Sequence, residues 1–207
     1  LLEELLIMDI AIFNKVLFFW FIFYITPGPV WLAVMAATAK KNYHQILVFF
    51  SIFLTVNLIV QFPQAFFSVV FIDTVIRLFG EIGFIFYFLG GGYIFYLAIQ
   101  TLKSHQAESS IQLSFSNLSL IMLLSPKIWI LFPSGALIAN QLNLGLLTNA
   151  GVYALTMFII SSVMFFFYVM IGKIGQIILK NNFSYLIFLL LSGFSLFLLF
   201  EGIQSIL

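Results

Sequence analysis

The chain of 207 residues contains no cysteine. Its absence removes disulfide frameworks, Cys-ligated zinc, iron–sulfur clusters and thiol redox chemistry together. Compartment stays open, because a chain embedded in lipid needs no disulfides. Charge is almost as scarce: Asp, Glu, Lys and Arg make up 7% of the residues, where soluble domains carry about 25%. So few charges cannot cover a water-facing surface. The formal net charge is +1, so no basic stripe is available and nucleic acid drops out as a partner. Histidine occurs only as His44 and His105, and no metal or cofactor is expected. What fills the chain is apolar: 63% of the residues are hydrophobic and 28 are Phe. This is the composition of an all-α integral membrane protein.

Six intervals lack charge: 16–39, 42–72, 82–102, 109–126, 128–172 and 181–200. A spanning helix needs about 20 apolar residues, so five intervals hold one helix each. The longest, 128–172, contains Asn140-Gln141-Leu142-Asn143 and Thr148-Asn149, polar enough for a loop. Its first half completes a helix that begins near 117 and crosses Lys127. Six helices follow, at about 12–39, 45–70, 80–102, 116–138, 148–172 and 183–206. A β-barrel is disfavoured, since runs such as Val16 to Ile25 are apolar at nearly every position rather than at alternate ones. The first segment is too long for a signal peptide and has an acidic flank (Glu3, Glu4, Asp9), which reads as a retained helix.

Lys40 and Lys41, Lys103, and Lys173 with Lys180 fall in alternate loops, against Arg77 and Lys15 on the other side. The positive-inside rule puts the first group in the cytoplasm and both termini in the periplasm. Five spans with an inside N-terminus is the competing topology. The chain also echoes itself. Thr26-Pro27-Gly28-Pro29-Val30-Trp31-Leu32 resembles Ser125-Pro126-Lys127-Ile128-Trp129-Ile130-Leu131, and Ile99-Gln100-Thr101-Leu102 resembles Ile203-Gln204-Ser205-Ile206. Each echo is about three helices apart. Because three is odd, two such halves, about 12–102 and 116–206 with a linker at about 103–115, must lie in opposite orientations.

Proline inside a helix removes a donor and clashes with the preceding turn. Pro27 and Pro29 around Gly28 are therefore expected to break the first helix about halfway across, and Pro126 to kink the fourth at similar depth. Gly90-Gly91-Gly92 is expected to interrupt the third helix and Gly193 to thin the sixth. Backbone groups freed at a break cannot face lipid, where each costs several kcal/mol, so the breaks must line a polar cavity or another helix. Paired breaks in the two halves are the best sequence pointer to a midplane site. Glycines that serve only close helix packing are the alternative.

Thr26-Pro27-Gly28-Pro29, the run Gly90-Gly91-Gly92-Tyr93-Ile94-Phe95-Tyr96-Leu97-Ala98 and Ser125-Pro126-Lys127 resemble the P-G-P, G-x-x-Y-L-x-x-x-G and N-P-K signatures of the LysE/RhtB amino-acid exporters, in the same order over essentially the whole chain. The resemblance implies export of amino acids or related small metabolites across the bacterial inner membrane, against proton entry. Three departures stand out. Ser125 replaces the Asn of N-P-K, Asn42-Tyr43-His44-Gln45-Ile46 replaces a glycine-rich entry to the second helix, and Pro133 is offset from the family's later proline.

A zwitterion needs donors for its carboxylate and acceptors for its ammonium, and broken helices supply both as half-helix ends. The half beginning at Pro29 offers amides for a carboxylate, with the Thr26 hydroxyl beside it. Ser125 and the carbonyls before Pro126 are candidates for the ammonium. Lys127 is the one cation expected deep in a helix, where a charge is read as functional by default; pairing with a backbone carbonyl is the alternative. Asn57 and Gln61 share a face of the second helix, while Gly91 and Tyr93 belong to the third-helix signature. Thr156 and Ser162 lie at suitable depth on the fifth helix, and Trp31, Trp129 and Tyr96 are candidate cavity walls. No proton carrier stands out, because Asp73, Arg77, Glu81 and Glu201 are expected in or near the outer interface. Neither a Ser–His pair, nor paired carboxylates, nor a phosphate-binding Gly loop occurs, so an enzyme is not expected. A secondary exporter is the leading expectation, with lipid and a small-molecule substrate as partners. The alternative is a packing or assembly subunit. A homodimer would give so small a bundle more interior.

Overall fold

The computed structural model describes residues 2–106, 113–180 and 182–204. The side chains of Glu3, Glu4 and His105, most of the expected linker, and Ser205 with Ile206 lie outside the described residues. Every regular element among those described is helical: α1 (Leu2–Ile25), α2 (Pro29–Thr38), α3 (Tyr43–Val56), a π-helical turn (Asn57–Gln61), α4 (Phe62–Val70), α5 (Ile72–Gln106), α6 (Phe115–Leu123), α7 (Pro126–Ala139), α8 (Leu146–Leu179) and α9 (Asn182–Gln204). Four continuous stretches are long and apolar enough to cross a membrane: Tyr43–Val70, Ile72–Lys103, Leu146–Leu179 and Asn182–Gln204. The pairs α1–α2 and α6–α7 bring the number to six when each bent pair is counted as one span.

Local chemistry sets the joints. Pro29 and Pro126 each occupy the first turn of a helix, where a missing N–H costs nothing, and each forbids the helix before it from continuing. The chain bends by 59° between α1 and α2 and by 60° between α6 and α7. Both breaks leave one short arm, the ten residues of α2 and the nine of α6. The first break therefore lies nearer the Lys40 end than halfway, because α1 begins earlier than the charge pattern suggested. At the start of α3, the Asn42 side chain accepts from Gln45 N and the Gln45 side chain accepts from Asn42 N. This capping box replaces the glycine-rich entry of the family resemblance with an equally effective helix start. Before Pro63, which has no N–H to give, the helix widens by one residue so that Phe62 N–H returns to Asn57 O.

Two expectations fail here. α5 runs unbroken through Gly90, Gly91 and Gly92, and α9 runs unbroken through Gly193. Gly90 and Gly91 permit contact rather than interrupt the helix, while a Cβ on Gly92 or Gly193 would meet nothing within 4 Å. A Cβ on Gly90 would stand 2.3 Å from the Leu124 carbonyl oxygen, and one on Gly91 would stand 3.1 Å from the Leu199 side chain. α5 also begins at Ile72, so Asp73, Arg77 and Glu81 are exposed residues of its first turns instead of loop residues. Nothing but glycine could break this stretch, and a helix of 35 residues, about 52 Å long, outreaches a hydrocarbon core of about 30 Å. α8 likewise extends past Lys173 to Leu179.

The core is aromatic. Trp20, Phe53, Phe132, Tyr153 and Phe165 are fully buried. Trp20 meets Tyr153 at 4.5 Å between ring centroids, and Trp31 stacks on Tyr168 at 4.8 Å and 7°. Phe18, Leu189 and Leu196 point outward, which is what a helix presents to lipid. α5 packs along α9, α4 along α8, and α1 against α7 and α8. At one end, Lys173 Nζ donates to Lys41 O at 2.8 Å, joining the α2–α3 loop to α8. At the other end, Asp9 Oδ1 accepts from Asn143 N at 3.2 Å, joining α1 to the α7–α8 loop.

Candidate functional site

The two breaks meet at one cavity of about 20 Å³. Its wall combines the α1–α2 joint (Phe23, Tyr24, Gly28, Pro29, Val30, Trp31), the α6–α7 joint (Met122, Ser125, Lys127, Ile128), and Phe53 and Gln61 from the second span. That volume holds about one water molecule.

Donors face the cavity. Pro29 lacks an N–H and Leu32 N returns to Gly28 O at 3.0 Å, which leaves the Val30 and Trp31 amides as the unclaimed first donors of α2. No side chain caps α2, and none caps α7. The positive ends of two half-helices thus converge on one space. Ser125, 4% exposed, lies against the same space without capping the helix it precedes. Gln61 accepts from Tyr24 OH at 3.3 Å through its carbonyl oxygen, which leaves its NH₂ as a further donor.

Acceptors are already occupied. Lys127 Nζ donates to Phe23 O at 2.7 Å and Thr26 O at 3.0 Å, and lies 4.4 Å above the Phe23 ring. Tyr168 OH lies 3.0 Å from both Tyr24 O and Ile25 O. These four carbonyls form the negative end of α1. On the other break, Trp129 Nε1 donates to Leu123 O at 2.7 Å, and Leu124 O is pressed against Gly90. The carbonyls before Pro126, expected to take an ammonium, therefore have partners or are covered by α5. Lys127 pairs with carbonyls, as the second of its two sequence readings had it, and it does so at the cavity wall.

Of the residues singled out in the sequence, Gly28, Pro29, Gln61, Ser125 and Lys127 line the cavity. Pro126 is buried in the first turn of α7 beside it. Thr26 and Pro27 are exposed at the joint, and the Thr26 hydroxyl turns back to Ile22 O at 2.8 Å, so it contributes its carbonyl and not its hydroxyl. Asn57 sits one turn away and donates to Ser161 Oγ. Gly91 is at the α5–α9 contact, where its carbonyl accepts from Ser195 Oγ at 2.8 Å. Tyr93 donates to Asn117 O at 3.3 Å on another face. Tyr96 pairs with Gln100 on α5, Trp129 seals α6, and Thr156 and Ser162 bond to their own helix, so only Trp31 of the candidate aromatic walls reaches the cavity. Tyr24 and Tyr168 went unseen in the sequence, because nothing in an apolar run distinguishes a tyrosine that closes a distant helix end. Among the described residues no group of three His, Asp or Glu could hold a metal ion. No protein-family model, curated protein or solved structure matches this chain.

Proposed function

We propose that this chain is a six-span inner-membrane secondary transporter of the LysE/RhtB kind, exporting amino acids or related small metabolites. The observation that carries the reading is the meeting of two broken helices at one cavity, with both half-helix N-termini and Lys127 on its wall. Unwound backbone at membrane depth is tolerated where it lines a cavity, and transporters place their substrates there. A packing subunit has no use for paired uncapped helix starts.

The same reading takes the two halves as an inverted repeat. Three hydrogen bonds join residues 104 positions apart: Asn57 with Ser161, Gly91 with Ser195, and Phe23 with Lys127. Under a repeat of that length Asn57 with Ser161 and Gly91 with Ser195 would each be a residue meeting its own counterpart, as on a two-fold axis, whereas Pro29 and Pro126 lie 97 positions apart and put Phe23 and Lys127 out of register. Two helix pairs fit the same plan, α5 with α9 and α4 with α8. In this reading the Lys40, Lys103 and Lys173 end is cytoplasmic and both termini are periplasmic. The cavity is open to about one water, so transport requires the two halves to rock about the Pro29 and Pro126 joints. Protons are the proposed coupling ion.

Efflux tests the reading. Cells carrying the protein and cells without it are loaded with a panel of labelled amino acids, and release is followed with and without a protonophore. Faster release that the protonophore stops is the expected result. Equal release from both cells across the panel contradicts export, and release unaffected by the protonophore contradicts coupling.

A further inference from the structure

Among the described residues the cavity gathers N–H and O–H donors and a lysine but no carboxylate, and this asymmetry of charge bears on which molecules fit. Resting on the export reading of the same site, we infer that the cavity recognises a carboxylate and supplies no counter-ion to an ammonium group, so its ligands are apolar organic acids, with 2-oxo and 2-hydroxy acids accepted at least as readily as the matching amino acids.

Two kinds of observation carry this. On the donor side, the start of α2 lies at the space with its Val30 and Trp31 amides uncapped, the start of α7 has no side-chain cap and returns Ile128 N–H to Ser125 O at 3.1 Å, and Ser125, 4% exposed, adds a hydroxyl that caps neither. Lys127 has three N–H donors and spends two on Phe23 O and Thr26 O, leaving one for a ligand oxygen. On the acceptor side, Phe23 O and Thr26 O hold Lys127, Leu123 O holds Trp129, and the single O–H of Tyr168 is shared between Tyr24 O and Ile25 O. No Asp or Glu lines the cavity. An ammonium brought into it would meet the positive ends of two helices and a lysine, without a counter-ion. The same repulsion rejects a basic side chain, while Trp31, Phe53, Met122 and Ile128 suit an apolar one.

The test uses purified protein in vesicles, each set matched to protein-free vesicles and measured with and without an imposed proton gradient. Four labelled compounds are loaded separately: leucine, 4-methyl-2-oxopentanoate (leucine's skeleton with a carboxylate and no ammonium), isoamylamine (the skeleton with an ammonium and no carboxylate) and lysine. The expected result is protein-dependent release of the oxo acid at a rate equal to or above that of leucine. Isoamylamine should lag by about tenfold or more, the loss that goes with one missing charge-assisted hydrogen bond, and lysine should lag through repulsion of its side-chain ammonium. Release of leucine without the oxo acid, or of lysine or isoamylamine as fast as leucine, overturns the inference and leaves export standing. Release of none of the four overturns both.

Discussion

Lys127 Nζ, on α7, donates to the carbonyl of Phe23, on α1, at 2.7 Å. One ammonium thus ties the negative end of one broken helix to the positive start of another, and its second bond, to Thr26 O, spans the joint itself. Lys127→Met keeps an unbranched side chain, one atom shorter, and removes both bonds. Hydrogen bonds to charged groups are worth about 1.5–3 kcal/mol, and those between membrane helices average about 0.6. The variant is expected to lose about 1–3 kcal/mol of stability in detergent and to lower export by about tenfold or more. Unchanged export with unchanged thermal stability would separate Lys127 from the site.

Gly90→Ala places a methyl group 2.3 Å from Leu124 O, a backbone atom that cannot step aside. α5 and α6 must then separate, at a cost of about 1–3 kcal/mol. Gly92→Ala meets nothing within 4 Å and should change stability by about 0.5 kcal/mol or less. Thermal unfolding of the two variants in detergent distinguishes a contact glycine from a helix interruption; equal effects would contradict the packing account.

Asn57, which opens the π-turn, and Ser161 bond across its contact with α8. A double-mutant cycle with Asn57→Ala and Ser161→Ala should give a coupling of about 0.6 kcal/mol, and no more than about 1.7. Additive losses would mean that the pair does not interact.

Tyr168→Phe removes the hydroxyl that closes Tyr24 O and Ile25 O. Stability should fall by about 1 kcal/mol. The freed carbonyls become acceptors near the cavity, so release of isoamylamine relative to its oxo acid counterpart should rise in vesicles. A ratio equal to that of the parent protein would show that those carbonyls do not govern selection.

A reporter fused after Lys41 tests orientation. Cytoplasmic activity is expected from the gathering of Lys40, Lys41, Lys103, Lys173 and Lys180 toward one end. Activity only in the periplasm contradicts it.

Much of this was legible before any coordinates. The four continuous apolar stretches and the two bent pairs fall where the charge-free intervals put helices, and the breaks at Pro29 and Pro126 followed from a ring that has no N–H. Gly90 to Gly92 misled because glycine allows either a break or a close approach, and only the neighbour, here Leu124 O, decides which. Pro63 was the overlooked signal: a proline within a span must be accommodated, and the π-turn from Asn57 to Gln61 does so. The sealing of acceptors by Lys127, Tyr168 and Trp129 was beyond the sequence's reach. It depends on pairs that lie over a hundred positions apart in two of the three cases, and no spacing rule connects them.

The absence of cysteine makes the central claim directly measurable. Ser125→Cys introduces the only thiol of the chain at the wall of the cavity. In membranes, its modification by a small anionic methanethiosulfonate is compared with that by a cationic one of similar size. A cavity facing two helix N-termini and Lys127 predicts faster reaction with the anionic reagent, slowed by a saturating exported carboxylate. Faster reaction with the cationic reagent, or no protection by that carboxylate, would contradict a carboxylate site at the meeting of the two breaks.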